Sequence, residues 1–442
     1  MDKLVIEGRK YLRGTIPVSG SKNTALPLMA AALLAGGKST LENVPNLRDV
    51  TTFAHVLRIS GASVEFDHKH HRMVIDASRI DFPEAPYDLV KKMRASFYML
   101  GALLGRCGEA RVSLPGGCAW GPRPVDLHLR GMEALGAEIT LDRGDVVARA
   151  PGGRLRGGVF HMEPSSVGTT INLLLAAATA QGSSRLENAA REPDVVVFGE
   201  MLQRMGAHLD GLGTTVIEVE GVDSLQPVNF YNTPDRIELG TFMIAAAIAG
   251  EPGQPIHLSN AEPEHLGHAF VDAFANTGTK FTFGKDYVDV VPTDELKAVS
   301  IETGVYPGFP TDLQAQWTVL LTQAKGNGRV VDTIYQDRFK HIPELRRMGA
   351  NAIVVNNEVV LEGGNHIQGA YVMSTDLRAS VSLVLAGLVA EGETHVLRVY
   401  HLDRGYENLD GKLAAAGASI RREQYEEFDD DAEPVASNSE EA

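Results

Sequence analysis

The chain contains little cysteine and no long apolar run. Only Cys107 and Cys118 are cysteines among 442 residues, which is too few for a disulfide framework, so we expect a reducing, cytoplasmic location. The longest apolar run, at 25–37, is well short of the ~20 residues that a membrane span needs, and we expect no membrane insertion. Acidic residues outnumber basic ones, 57 to 41, and the absence of a basic stripe argues against nucleic-acid binding.

The negative charge is concentrated at the C-terminal end. The net charge is −16, and residues 423–442 contain nine acidic residues and no Lys or Arg. This composition is typical of solvated, disordered chain, so we expect a disordered tail over 426–442. The rest has the composition of a globular α/β protein and is long enough for two domains.

A helix that ends at a glycine and continues into a strand recurs along the chain. The glycines are Gly61, Gly136, Gly206, Gly278, Gly349 and Gly417. Their spacing of 68 to 75 residues indicates six copies of one α/β unit. Each glycine suits the position just after a helix, where a positive φ is needed.

The sixth unit lacks its last strand, and "KLVIEG" at 3–8 has the pattern of the missing one. We therefore expect the N-terminal strand to complete the last unit and both termini to share a domain. Three units would form a first domain over 22–234. The other three would form a second domain from 1–21 with 235–425, and the chain would cross between domains near 229–238.

Unusual polar residues collect at two places in the repeat. At the start of the buried Ala/Leu-rich helix are Lys22, Asn23, Arg94, Ser166 to Gly168, Arg236, Asp312, Asp376 and Arg378. In the loop after the following strand are Arg48, Cys118, Arg123, Arg338 and Arg404. Helix N-termini and arginines both bind anions, so this pattern predicts a cleft for phosphate and carboxylate groups.

Simpler interpretations stay open at this stage. Asp312 and Asp376 could be helix caps, and Lys22 could be a solvated surface lysine. Arg94 and Arg404 could form surface ion pairs. No spacing of His, Cys and Asp predicts a metal site.

The two cysteines differ in their surroundings. Cys118 lies in "LPGGCAWGPRPVDLHL" at 114–129, where glycines and prolines exclude regular structure. Arg123 follows five residues later, and a thiol near a cation is more reactive. Cys107 ends an apolar run, and we expect it to be buried and inert.

Seven stretches together resemble one family. They are "SGSKN", "MRASFYMLGALL", "LPGGCAWGPRPVDLHLRGMEALGA", "FPTDLQAQ", "RFKHIPELRRMGA", "TDLRAS" and "YHLDRGYENLDGKL". In this order they are similar to the bacterial UDP-N-acetylglucosamine enolpyruvyl transferases of peptidoglycan synthesis, over residues 3 to 422. The resemblance implies an α/β fold of two inside-out barrel-like domains (the enolpyruvyl transferase fold), with three α/β repeats in each.

The resemblance also implies a reaction and its residues. Enolpyruvyl would pass from phosphoenolpyruvate to the 3′-hydroxyl of UDP-GlcNAc through a tetrahedral intermediate, with no cofactor or metal. The catalytic residues would be Cys118 as proton donor and site of a covalent adduct, Asp312 as base, and Lys22 and Arg404. Phosphoenolpyruvate would bind Lys22, Asn23, Cys118, Arg123 and Arg404. UDP-GlcNAc would bind Asn23, Arg94, Arg123, Pro124, Val125, Asp126, Leu127, Ser165, Ser166, Val167, Gly168, Asp312 and Ile334. Arg338, Asp376 and Arg378 would support them.

The chain departs from the family pattern at three points. Trp120 occupies an expected aliphatic position in the loop, and Trp317 replaces a more familiar Phe. "EPSSVG" at 163–168 lacks a lysine often found before the serine, which weakens the expected diphosphate contact there.

The sequence leaves three alternatives to enolpyruvyl transfer onto UDP-GlcNAc. The related transferase acting on shikimate 3-phosphate would share the fold, but Cys118 and "RPVDLH" argue against it. A DNA clamp of six repeats would need a basic inner surface. An inactive paralogue would have lost active-site residues, whereas Lys22, Cys118, Asp312 and Arg404 are all present.

Overall fold

The computed structural model describes residues 1–90, 93–114, 125–335 and 337–426. These residues form 24 strands and 13 α-helices. The strands are β1 (Asp2–Glu7), β2 (Gly14–Pro17), β3 (Lys38–Glu42), β4 (Ser63–Asp67), β5 (Arg72–Asp76), β6 (Glu84–Ala85), β7 (Glu109–Ser113), β8 (Glu138–Asp142), β9 (Asp145–Arg149), β10 (Val159–His161), β11 (Ser183–Glu187), β12 (His208–Asp210), β13 (Val216–Glu220), β14 (Asn229–Tyr231), β15 (Ile256–Ser259), β16 (Lys280–Phe283), β17 (Tyr287–Val291), β18 (Ile301–Glu302), β19 (Asn327–Val331), β20 (Ala352–Val355), β21 (Glu358–Glu362), β22 (Tyr371–Met373), β23 (Glu393–Leu397) and β24 (Ser419–Gln424).

The α-helices alternate with these strands. They are α1 (Lys22–Ala31), α2 (Arg48–Ile59), α3 (Tyr87–Val90), α4 (Tyr98–Cys107), α5 (Asp126–Ala134), α6 (Val167–Ala177), α7 (Pro193–Arg204), α8 (Arg236–Ala249), α9 (His268–Asn276), α10 (Gln314–Gln323), α11 (Ile342–Arg347), α12 (Leu377–Val389) and α13 (Leu409–Ala415). Short 3₁₀ turns at Arg94–Phe97 and Thr311–Leu313 lead into α4 and α10. None of the helices in these ranges is long and apolar enough to cross a membrane.

The strands form six open, four-stranded sheets of one common topology. In each, two strands pair in parallel and the other pairings are antiparallel, as in the order β10-β11-β13-β12. The six predicted glycines follow the second helix of each unit with φ between 88° and 107°. The six sheets of one topology confirm the six-copy repeat. In each copy the glycine adopts the left-handed backbone conformation that the turn after the helix needs.

The N-terminal strand completes the last sheet, as predicted. β1 lies between β23 and β24 and pairs antiparallel with both, with Asp2 opposite Gln424. Two other strands are exchanged between the halves of the chain: β2 pairs with β15, and β14 pairs with β3. The chain therefore crosses twice, at 18–21 and 232–235. These crossing segments lie side by side, with hydrogen bonds from Ser21 N to Thr233 O and from Asp235 N to Ser19 O.

Two separate hydrophobic cores support the predicted domain division, which itself stays a prediction. The first core draws on residues 25–230, and the second on residues 4–18 and 237–418. We call the part of the chain built on each core a lobe. Helices α1, α4 and α6 are buried in the first lobe, and α8, α10 and α12 in the second.

Trp317 belongs to the second core. Its ring is fully buried beside Phe309, and its Nε1 donates to the carbonyl of Val299 at 2.9 Å. The replacement of the more familiar Phe is thus accommodated by packing and by one hydrogen bond. Cys107, expected to be buried, is only partly buried at the end of α4, and burial raises the pKa of its thiol.

Close packing of α4 against α6 depends on Gly101. A Cβ at this position would collide with the backbone carbonyl of Asn172 in α6. The side chain of Asn172 in turn accepts from Gly101 N at 2.7 Å and donates to Phe97 O at 3.0 Å. Gly101 therefore fixes the distance between the two helices whose N-terminal ends carry Arg94 and Ser166.

We predict that Gly101→Ala lowers the free energy of unfolding by about 1–3 kcal/mol, because the new methyl group overpacks the helix interface. Gly304→Ala is the matched control, since the nearest atom to its Cβ would be Gly308 Cα at 3.8 Å. Urea unfolding measures both. Equal stabilities for the two variants would contradict this account of the interface.

Candidate active site

The buried helices of both lobes begin at the residues that the sequence singled out. Within the described ranges, the first turns or leading 3₁₀ turns contain Lys22 and Asn23 (α1), Arg94 (before α4), Val167 and Gly168 (α6), Arg236 (α8), Asp312 (before α10) and Arg378 (α12). Side-chain caps fix four of these starts. Ser21, Ser166, Asp235 and Asp376 each accept from a backbone N–H two or three residues further on. Asp376 is thus a helix cap in this structure, which is the simpler of its two interpretations.

Asp312 is not a cap but lies between two arginines. Its Oδ1 accepts from Arg338 Nη2 at 2.6 Å, and its Oδ2 accepts from Arg378 Nη2 at 2.9 Å. Burial alone would raise the pKa of this carboxyl, but the charges of Arg378 and Arg338 outweigh burial and hold the pKa well below its usual range.

This geometry limits how Asp312 can act as a base. A carboxylate stabilised so strongly as an anion accepts a proton poorly. Its basicity therefore depends on loosening at least one of the two ion pairs. Each arginine also has a second acceptor: Arg338 Nη1 donates to Thr311 Oγ1 at 2.6 Å, and Arg378 Nη1 donates to Tyr406 Oη at 3.0 Å.

A buried aspartate fixes the loop that follows β19. Asp332 is fully buried, and its Oδ1 accepts from the backbone N–H groups of Ile334 and Tyr335 at 2.9 and 3.0 Å. Its Oδ2 accepts from Thr311 Oγ1 at 2.7 Å. These bonds place Ile334, which is exposed, and Arg338 beside the turn that carries Asp312.

A second charged cluster joins the lobes. Asp49, in the first turn of α2, is 5 % exposed, and its Oδ1 accepts from Arg404 Nε at 2.9 Å. Lys22 Nζ lies 3.8 Å from Asp49 Oδ2. Neither Lys22 nor Arg404 is therefore a simple solvated surface residue in this structure, and the Asp49–Arg404 ion pair spans the two lobes.

The cations at the site affect one another. Burial lowers the pKa of the Lys22 ammonium, and the Arg378 and Arg404 charges lower it further. Asp49 and Asp312 oppose that shift and favour the charged form. Both clusters thus act on one lysine at the start of α1, and together they form a single cluster of charged side chains where the lobes meet.

Further contacts hold the lobes together near this charged cluster. Arg236 Nε donates to Asp194 Oδ2 at 3.2 Å, and Asp194 also accepts from Thr24 Oγ1 at 2.8 Å. Asn46 N donates to Glu407 Oε1 at 2.9 Å. Polar contacts therefore contribute to the junction between the lobes.

The predicted nucleotide-sugar residues lie in the first lobe with two exceptions, Asp312 and Ile334. Asn23, Arg94, Leu127, Ser165, Ser166, Val167 and Gly168 are partly buried, Val125 is buried and Asp126 is exposed. Ile334 comes from the second lobe. Cys118, Arg123 and Pro124 lie outside the described residues, so their predicted roles stay predictions.

Sequence reasoning missed three residues of the site. Asp49 follows Arg48, which was singled out, but an acid in the first turn of a helix is common. Tyr406 lies inside the quoted "YHLDRGYENL" and bonds Arg378. His128 lies inside "RPVDLH", and a Cβ on Gly168 would be 3.5 Å from its ring. The sequence signal for these three residues was their position inside or next to motifs that already had an assigned role.

The buried ring of His128 is neutral. It is 4 % exposed, its Nδ1 accepts from Asn172 Nδ2 at 3.0 Å, and burial, aided by the charge of Arg94, lowers its pKa to about 3. In the unfolded chain histidine titrates near 6.5. Its contribution to stability is therefore complete above pH 6.5 and is lost as pH falls toward 3.

We predict that the wild-type chain loses stability between pH 7 and pH 5 and that His128→Gln loses about 2 kcal/mol less over that interval. His366→Gln, at an exposed position, should keep the wild-type acid dependence. Urea unfolding at each pH measures the difference. Identical pH profiles for His128→Gln and the wild type would show that this ring is not held neutral.

Comparison with known proteins agrees with this geometry. The family model for EPSP synthase (3-phosphoshikimate 1-carboxyvinyltransferase) matches residues 6–413. The UDP-N-acetylglucosamine 1-carboxyvinyltransferase of Chlorobaculum parvum is 51 % identical over 97 % of this chain and 100 % of its own length. The enzyme of the same name from Chloroherpeton thalassium is 51 % identical over 97 % of this chain and 99 % of its own length.

Solved structures share the fold. The enolpyruvyl transferase NikO from Streptomyces tendae superposes with a TM-score of 0.87 at 27 % identity, over 95 % of this chain and 98 % of NikO. EPSP synthase from Acinetobacter baumannii gives a TM-score of 0.75 at 17 % identity, over 96 % and 100 % of the two chains, and shows the fold alone. The predicted enolpyruvyl transferase fold is confirmed, and the chain belongs to the UDP-N-acetylglucosamine 1-carboxyvinyltransferases within the wider EPSP synthase family.

Proposed function

We propose that this chain transfers the enolpyruvyl group of phosphoenolpyruvate to the 3′-hydroxyl of UDP-GlcNAc and releases phosphate, in the first committed step of peptidoglycan synthesis. The names of its close relatives support this substrate pair. The structural observation that carries the proposal is the cluster of charged side chains in which Asp312 meets the cations Lys22, Arg378 and Arg404 from both lobes.

The reaction needs a base and an acid on opposite sides of the new bond. Asp312 takes the proton of the 3′-hydroxyl, whose oxygen forms a bond to C2 of phosphoenolpyruvate. Cys118 gives a proton to C3, which completes the tetrahedral phospho-ketal. Loss of a proton from C3 and cleavage of the bond to phosphate then yield the enolpyruvyl ether. Each proton transfer contributes roughly 10²–10⁴-fold.

The cations of this charged cluster can bind a substrate that has both a phosphate and a carboxylate group. Lys22 and Arg404 hold these anions, together with Arg123 and Asn23. Asp49 contacts the same two cations, so phosphoenolpyruvate binds beside a carboxylate. This acid opposes the effect of burial on the pKa of the Lys22 ammonium and favours its charged form.

The nucleotide-sugar binds along the first lobe. The start of α6, with Ser165, Ser166, Val167 and Gly168, offers free N–H groups to the diphosphate. Arg94 adds a positive charge, and Arg123, Pro124, Val125, Asp126 and Leu127 form the uridine pocket. Asn23 and Ile334 contact the sugar, while Arg338, Asp376 and Arg378 support Asp312.

Because its substrates are cytoplasmic metabolites, we place the enzyme in the cytoplasm.

The nearest alternative is transfer to shikimate 3-phosphate, because the matching family model carries that name. We predict that phosphate is released from phosphoenolpyruvate only when UDP-GlcNAc is present. A phosphate-release assay with either acceptor, each omitted in turn, separates the two reactions. Equal turnover of shikimate 3-phosphate would reverse the assignment.

We predict that Arg404→Lys raises the KM for phosphoenolpyruvate about tenfold, because lysine keeps the charge but loses the planar fork. The KM for UDP-GlcNAc should change little. Arg421→Lys is the matched control, since Arg421 is 54 % exposed and bonds Glu393 and Glu423 at the surface. An unchanged KM for phosphoenolpyruvate in Arg404→Lys would remove Arg404 from the anion site.

A further inference from the structure

The hydroxyl of Tyr406 lies where the three buried helices of the second lobe converge. Tyr406 is 2 % exposed. Its Oη lies 2.9 Å from Thr241 Oγ1 in α8, 3.2 Å from Gln316 Nε2 in α10 and 3.0 Å from Arg378 Nη1 in α12. One phenol thus bonds a side chain from each helix.

The direction of these bonds follows from their partners. Thr241 Oγ1 already donates to the Ile237 carbonyl at 2.8 Å, so it accepts the proton of the Tyr406 hydroxyl. The phenol oxygen then accepts from Arg378 Nη1, and it shares the two N–H groups of Gln316 Nε2 with Thr241 Oγ1 at 3.1 Å and the Asp312 carbonyl at 3.0 Å. Burial raises the pKa of the phenol, so it stays neutral and keeps this pattern.

Two routes lead from Tyr406 to Asp312. Arg378 bonds Tyr406 through Nη1 and Asp312 Oδ2 through Nη2, so the phenol sets the direction of the guanidinium that holds the carboxylate. Gln316 Nε2 also donates to the backbone carbonyl of Asp312 at 3.0 Å. Both the carboxylate and the backbone of Asp312 are therefore oriented from one buried hydroxyl.

We propose that Tyr406 is a positioning residue for the reaction, which acts through Arg378 to keep the Asp312 carboxylate in line with the attacking hydroxyl. This inference rests on the proposed function, because it assigns Asp312 the role of base. Because Tyr406 is 2 % exposed, we assign its effect to the contact with Arg378 and not to a contact with substrate. Misplacement of a reacting group costs turnover more than it costs substrate binding.

The test is a double-mutant cycle on turnover. Tyr406→Phe removes only the hydroxyl, and we predict that kcat falls about tenfold or more while both KM values stay within about twofold. Arg378→Lys has no second Nη with which to link Tyr406 to Asp312. In that background Tyr406→Phe should lower kcat by no more than about twofold, because the route through Arg378 is already broken and only the contact through Gln316 remains.

Trp317→Phe is the matched control for stability. It also removes one hydrogen bond of a buried aromatic residue in the second core, from Trp317 Nε1 to Val299 O, without touching Arg378. Because the smaller ring also leaves a cavity, it should lower the melting temperature at least as much as Tyr406→Phe while leaving kcat within about twofold.

Three results would overturn the inference while the wild-type enzyme is active. They are an unchanged kcat in Tyr406→Phe, an equal loss of kcat in Trp317→Phe, and losses that multiply in the Tyr406→Phe, Arg378→Lys double variant. If the wild type releases no phosphate from phosphoenolpyruvate with UDP-GlcNAc, the proposed function itself fails, and the role of Tyr406 fails with it.

Discussion

The carboxylate of Asp312 between Arg338 and Arg378 is the interaction on which the rest of the site depends. The two guanidinium groups repel each other at this distance, and the carboxylate between them attracts both. Buried charges of this kind are stable only when opposite charges lie close to them. The second lobe achieves this balance with arginines from two different repeats. The same balance holds the pKa of the Asp312 carboxyl well below its usual range, so the proposed mechanism requires a substrate to displace part of it before Asp312 accepts a proton.

A similar balance operates across the lobes. Lys22 is 14 % exposed at its side chain, and a buried ammonium is costly without a partner. Asp49 supplies that partner and also binds Arg404 from the other lobe. The cluster of Lys22, Asp49 and Arg404 is therefore complete only where both lobes meet.

The repeat was predictable because its signals are local. Gly61 and its five counterparts sit where a helix needs a positive φ, and Ser166 and Asp376 cap helices as their residue types favour. Contacts between distant repeats leave no such local pattern. Asp49 resembles an ordinary first-turn acid, and Tyr406 resembles a core aromatic residue until its hydroxyl is seen beside Arg378. The ion pairs of Asp312 were equally invisible, although its position at a helix start was predicted.

The most direct measurement is a crystal structure of the Cys118→Ser variant, whose hydroxyl is a far weaker acid than the thiol, with UDP-GlcNAc and phosphoenolpyruvate bound. The account predicts the 3′-hydroxyl within hydrogen-bond distance of Asp312, at least one of its two arginine bonds broken, and the phosphate on Lys22 and Arg404. A bound sugar whose 3′-hydroxyl lies away from Asp312, with both arginine pairs intact, would contradict it.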